Sequence, residues 1–217
     1  MPESVYLSPD GVADPDVAAL AAVAAQVGAR VLELAPGVLE RVAATVTPQP
    51  VLAVFPMLDV PVVPASGRFV VVMADVRDPG NAGTVLRSAD ASGADAVVCC
   101  GGTVDPYNPK TVRASAGSLF HVPIVVERDA AAALHALSGY RRVGAVVRGG
   151  EDYTDYDWTQ PSALVLGNEA AGIGGELALD ARVVIPMQGR AESLNVGMAC
   201  AVLCFEAARQ RRTTMPR

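Results

Sequence analysis

The chain has 217 residues, 51% of them hydrophobic, and a formal net charge of −6. That is enough for one large domain or two small ones around a substantial core, and the acidic balance excludes a surface that is basic all over. No apolar run reaches the length of a membrane span and no basic stretch precedes a short apolar one, so the sequence predicts a soluble, cytoplasmic protein.

Residues 1–55 predict a small α/β unit. It has a strand at 4–7, a helix at about 16–28, a strand at 30–34, a short helix at about 36–44 and a strand at 51–55. The first strand begins almost at Met1, and if residues 1–55 are half of a domain it is expected to present an unprotected edge. Residues 56–67, "PMLDVPVVPASG", hold three prolines and a glycine and read as a linker. From residue 68 to about 212 strands alternate with helices, the pattern of a parallel α/β sheet. "RFVVVMADV" is a nearly all-apolar strand, as expected where both faces of a sheet are covered. "GNAGTVLRSADASG" reads as a helix, "DAVVCC" as a strand, "PKTVRASAGSLF" as a helix and "VPIVV" as a strand. "DAAAALHAL" follows as a helix, then the strands "RRVGAVV", "SALVLG" and "ARVVIP", and a final helix over 195–210. Arg209, Arg211 and Arg212 read as a solvated, frayed tail.

The four cysteines, Cys99, Cys100, Cys200 and Cys204, all lie in apolar runs and form no C-x-x-C. They are expected to be buried free thiols, not zinc ligands or disulfides. With His121 and His135 the only histidines, no metal site and no histidine-based triad is expected. The charge is uneven: residues 1–60 hold two arginines, Arg30 and Arg41, against seven acids, whereas the remainder is close to neutral. Of the 17 basic residues only Lys110 is a lysine, so a local arginine cluster could still grip phosphates through forked contacts.

Three polar, glycine-bearing segments each follow a strand. In "DVRDPGNAGTVLRSADASG", Pro79-Gly80-Asn81 starts a helix with Asn81 as a plausible cap, and Arg87 lies mid-helix, where an i,i+3 pair with Asp90 is the plain alternative to a functional role. In "LVLGNEAAGIGG" a strand ends in Gly167-Asn168-Glu169. Such glycines make either a tight turn or a close backbone approach to a ligand at the carboxyl edge of the sheet. "GIGGEL" is not a dinucleotide fingerprint, and no G-x-S-x-G, Walker A lysine or H-E-x-x-H occurs. In "AESLNVGMAC", Glu192, Ser193 and Asn195 stand at the mouth of an apolar helix, where Ser193 and Asn195 suit capping.

Together these segments resemble the SpoU family of RNA ribose 2′-O-methyltransferases, in the SPOUT superfamily. "DPGNAGTVLRSADASGAD", "LVLGNEAAGI" and "IPMQGRAESLNVGMACAV" match its three motifs in order, and "VDPYNPKTVRASAGSLFHVP" is similar to its middle segment. The resemblance implies a SPOUT-type parallel sheet with a C-terminal trefoil knot, here using segments 164–169, 182–189 and 190–196. It implies S-adenosylmethionine in the knot, against Leu166, Gly167, Asn168, Ile185, Met187, Ser193 and Leu194, with Gly102 and Thr103 as neighbours. The family's polar set falls on Asn81, Arg87, Glu169, Ser193 and Asn195, so capping and function need not compete at the last helix. Arg87 is either a general base aided by a substrate phosphate or a phosphate clamp. The resemblance also implies a homodimer through the final helix and a substrate of structured RNA, ribosomal RNA ahead of transfer RNA. Residues 1–55 look like the second half of a ribosomal-protein-like RNA-binding domain. The competing reading is a knotted cofactor- or RNA-binding module without turnover.

Overall fold

The computed structural model describes residues 1–43, 45–61 and 67–214. The chain divides into two compact units, Met1–Leu58 and Asp59–Arg217.

In the first unit a three-stranded sheet is built from β1 (Ser4–Leu7), β2 (Arg30–Glu33) and β3 (Val51–Val54), with helices α1 (Pro9–Ala13), α2 (Pro15–Gln26) and α3 (Val38–Val42) between them. The expected free edge on the first strand is not there. β1 is the central strand, parallel to β2 on one side and antiparallel to β3 on the other, because the chain returns after α3 to close the open side. Helix α1 is unforeseen by periodicity, being barely a turn long. Its chemistry is nevertheless that of a helix start: Ser8 accepts from the Gly11 N–H at 3.2 Å and Pro9 needs no hydrogen-bond partner at the first position. Asp14 and Pro15 repeat the device for α2. Val5 and Leu7 pack on Ala21, Ala24 and Ala29 to make a small core.

The second unit is a seven-stranded sheet. In chain order its strands are β4 (Phe69–Met73), β5 (Ala96–Cys100), β6 (Ile124–Glu127), β7 (Arg141–Ala145), β8 (Glu151–Asp152), β9 (Ser162–Leu166) and β10 (Ala181–Val184). They lie side by side as β6-β5-β4-β9-β7-β10-β8, every neighbouring pair parallel. Helices α4 (Pro79–Ala91), α5 (Pro109–Ala114), α6 (Ala130–Ala136) and α7 (Val196–Thr214) cover it. β4 and β9 are buried along their whole length, which is why neither alternates polar with apolar residues. Phe69, Val71 and Met73 face a core shared with α4 and α7, and Val70 and Val72 face another shared with α6. Trp158 is fully buried in the connection before β9. Its Nε1–H donates to the Tyr153 carbonyl at 2.9 Å, and its ring meets Phe69 and Tyr156 edge to face.

The helix expected over "PKTVRASAGSLF" breaks in two. Ala116 and Gly117 adopt left-handed backbone angles (φ 49° and 93°), ending α5 and starting a 3-10 turn at Ser118–Phe120. The arginine tail is not simply solvated. Arg211 lies over the Phe69 ring at 4.3 Å and donates to the Ser92 carbonyl, and Arg209 pairs with Glu206 at 2.7 Å, so α7 runs to Thr214. All four cysteines are buried and free, and burial pushes the Cys99 and Cys100 thiols up to about 12. Of the expected linker, residues 62–66 lie outside the described residues. Val60 already runs beside β6, its N–H donating to the Ile124 carbonyl at 2.7 Å. Among the described residues no helix is long and apolar enough to cross a membrane.

Candidate active site

The loops leaving the carboxyl ends of β7, β9 and β10 meet the first turns of α7 around a cleft of about 310 Å³, at the edge where parallel sheets bind ligands. Leu166, Ile185, Val196 and Leu203 give it an apolar floor, while Asn168, Glu169, Glu192 and Ser193 supply polar groups. The loop after β10 is open backbone: among the described residues, the Pro186 carbonyl and the N–H and C=O groups of 187–194 enter no backbone hydrogen bond. Unpaired backbone groups along a cleft must be met by water or by a ligand.

Gly167 is required here by space. A Cβ at this position would stand 2.3 Å from the Gly172 carbonyl oxygen and 2.6 Å from the Ile173 nitrogen. The loop folds back on itself that tightly because Asn168 and Gly172 exchange two backbone hydrogen bonds of 2.9 Å. The Asn168 side chain completes the turn, accepting from the N–H groups of Ala170 and Ala171 and donating to the Asp75 carbonyl at 3.3 Å.

A chain of side-chain hydrogen bonds joins the three motif segments. Asn195 Oδ1 accepts from the N–H groups of Gly197 and Met198, capping α7. Its Nδ2 donates to Asn81 Oδ1 at 2.7 Å, and Asn81 Nδ2 donates to Glu169 Oε1 at 2.8 Å. Asn81 therefore does not cap α4. Asp78 does, accepting from the Asn81 N–H at 2.8 Å, and this frees the Asn81 side chain to bridge its two partners. Asp-Pro at a helix start was the readable signal for that cap. Ser193 lines the cleft and makes no capping bond, so Asn195 alone fills that role.

Arg87 stands apart from this group. It lies six residues beyond Asn81 on α4, about 9 Å along the axis and about 120° around it by helix geometry. It is exposed and has no ion pair among the described residues. The alternative pair with Asp90 does not form, because Asp90 is taken by His121 Nδ1 at 3.1 Å. Arg77, in the loop before α4, pairs with Asp75 at 2.7 Å. That pair, helped by the Glu169 carboxylate, holds its guanidinium above the ordinary arginine range. Gly102 and Thr103 do not line the cleft; they border a separate depression with Cys99, Cys100 and Arg128. The wall contributed by Ala145–Val147 has no polar or motif signal and escaped sequence reasoning.

Residues 68–205 match the model of the SpoU rRNA Methylase family. Over 165 residues the chain is 40% identical to the 23S rRNA (guanosine(2553)-2′-O)-methyltransferase RlmP of Bacillus subtilis, a match covering 74% of this chain and 65% of that one. Over 176 residues it is 38% identical to a 23S rRNA (uridine(2479)-2′-O)-methyltransferase of Streptomyces viridochromogenes, covering 76% and 61%. The chain thus spans less than two thirds of the length of these curated relatives. Among solved structures, an AdoMet-bound rRNA methyltransferase from Sinorhizobium meliloti superposes with a TM-score of 0.84 at 33% identity, over 99% of this chain and 81% of that one. The SpoU methyltransferase AviRb from Streptomyces viridochromogenes, solved with AdoMet, superposes with a TM-score of 0.82 at 32% identity, over 98% and 84%.

Proposed function

Because this chain belongs to the SpoU rRNA Methylase family, we propose that it transfers a methyl group from S-adenosylmethionine to a ribose 2′-hydroxyl of structured RNA, ribosomal RNA ahead of transfer RNA. The observation that carries this reading is the cleft with the Glu169–Asn81–Asn195 chain at its side.

The residues of the cleft suit the cofactor. Leu166, Ile185, Met187 and Leu194 offer apolar surface for its adenine, and the open backbone of 186–194, with Gly167, Asn168 and Ser193, offers donors and acceptors for its polar groups. When bound, its sulfonium supplies a methyl group that is already electrophilic. The protein's task is then alignment, which is worth about 7–11 kcal/mol when the reacting atoms are held well. Asn81, Glu169 and Asn195 hold one another rigidly and orient the ribose. Arg87 clamps a substrate phosphate through its fork; a guanidinium, with five N–H donors and no acceptor, is better suited to that than to taking a proton. Arg77, Lys110, Arg113 and Arg190 are exposed and steer the anionic substrate despite the net negative charge. The reading includes a trefoil knot formed by segments 164–169, 182–189 and 190–196, three stretches that all contribute to the cleft. It assigns residues 1–55 to RNA binding, 56–67 to a linker and 68–212 to methyl transfer, in the cytoplasm.

A homodimer through α7 belongs to the same proposal. Met198 and Phe205, seven residues apart on one face of α7, are 60% and 49% exposed, a costly arrangement for a helix facing water. A partner on that face would bring a second copy to the exposed side of α4 and α7, where an Arg87 set apart from its own cleft could serve the other. Light scattering is expected to give a dimer at micromolar concentration, and Met198→Glu to give a monomer; a wild-type monomer would refute the interface.

The isolation of Arg87 within one chain favours one other reading, a module that binds cofactor or RNA without turnover. Radiolabelled cofactor with unmodified 23S rRNA and, separately, transfer RNA, followed by nuclease digestion and nucleoside mass spectrometry, separates the two. A 2′-O-methylated nucleoside is expected. Label on a base would overturn the reaction, and cofactor binding with no transfer to either RNA would favour the module.

A further inference from the structure

Between β4 and α4 the chain makes a sharp reversal. Asp75 takes a left-handed backbone angle (φ 74°), uncommon for any residue but glycine. What holds it there comes from the loop after β5. Thr103 Oγ1 donates to the Met73 carbonyl at 2.8 Å and accepts from the N–H groups of Asp75 and Val76 at 3.1 and 3.2 Å, using all of a hydroxyl's hydrogen-bonding capacity on one turn. The Val104 N–H adds a bond to the Val76 carbonyl at 2.9 Å. Gly102 lets the two loops touch: its φ is 88°, and a Cβ there would stand 2.5 Å from Asp75 Oδ1.

This turn carries one side of the site. The Asp75 carbonyl receives the Asn168 amide, the Asp75 carboxylate holds Arg77, and Asp78 caps the helix that presents Asn81. We infer that Thr103 is a positioning residue for methyl transfer, acting through the β4–α4 turn on Asn81 and Arg77 without touching the cofactor cleft. This rests on the methyltransferase reading above. Thr103 lies outside all three motifs, and none of its contacts reaches the cleft.

The test compares wild type, Thr103→Val, Thr103→Cys and Thr103→Ser, using radiolabelled S-adenosylmethionine and a 23S rRNA transcript. The measurements are kcat, the cofactor Kd by calorimetry and the thermal midpoint. Valine keeps the shape and removes every hydrogen bond, and kcat is expected to fall by about 10- to 100-fold, the scale of a misplacement near 1 Å. Cofactor Kd should stay within about twofold, and serine should restore kcat. If the valine variant does not fold, cysteine, the counterpart of the serine control with a weaker hydrogen-bonding atom, takes its place with the same expectation. Unchanged kcat overturns the inference. So does a parallel loss of kcat, cofactor affinity and thermal midpoint that serine fails to restore, because that marks a merely structural residue. Absence of transfer by the wild type would overturn the methylation reading itself, before any variant is compared, and this inference with it.

Discussion

Replacing Arg87 with alanine is expected to lower methyl transfer by about 10²–10³-fold, the range for removing one charge-stabilising donor from an active site. Cofactor affinity should stay within about twofold, because Arg87 is not among the residues that line the cleft. The two measurements, a transfer assay and calorimetry, therefore part company. Arg87→Lys sharpens the result. Lysine keeps the charge and loses the fork, so a clamp that works by bidentate geometry should recover only in part. A lysine variant as active as the wild type would reduce the role to charge alone, and full activity in the alanine variant would remove Arg87 from the reaction.

Gly167→Ala should act on the opposite half of the machinery. The added methyl would sit 2.3 Å from the Gly172 carbonyl oxygen and 2.4 Å from its carbon, atoms pinned by the Asn168–Gly172 pair of hydrogen bonds. No flexible side chain is there to give way. The loop from Gly167 to Ile173, one whole wall of the cleft, has to shift. Cofactor affinity is expected to fall more than about tenfold, equivalent to about 1.4 kcal/mol. The thermal midpoint should drop by only a few degrees, since the loop lies at the sheet's rim and not in its core. Calorimetry that returns the wild-type affinity would mean that this loop is not a cofactor wall.

Much of the sheet was legible because burial simplifies sequence. A strand covered on both faces needs no polar residue, so "FVVVM" could be little else than β4. What escaped was governed by contacts that sequence does not advertise. β8 is two residues long and exists only by pairing with β10. The break after α5 depends on an alanine in a left-handed conformation, which no local rule assigns to alanine. Arg211 looked like a solvated charge and lies instead on Phe69, because the last turns of α7 run back along the sheet's foot.

At the site, residue chemistry picked out the polar positions, and the match to three ordered motifs said that they belong together. Their mutual geometry was not readable. Asn81 meets Glu169 across 88 positions and Asn195 across 114. Asn81 suited both a helix cap and the family's polar set, and the choice between them depends on Asp78 filling the cap. Thr103, which the resemblance sets beside the cofactor pocket, fastens the β4–α4 turn, a role that no motif announces.

The order of strands also sets a clock on the newborn chain. β4 emerges early but lies in the middle of the sheet, where its neighbour on one side is β9: Phe69 must wait for Ser162. The cleft is later still, since its last wall is the first turns of α7 and its polar latch closes only when Asn195 reaches Asn81. Pairings so distant along the chain are slow to form, on the scale of milliseconds to seconds for folds rich in them. The cleft and the polar chain beside it are therefore complete only once the first turns of α7 are in place.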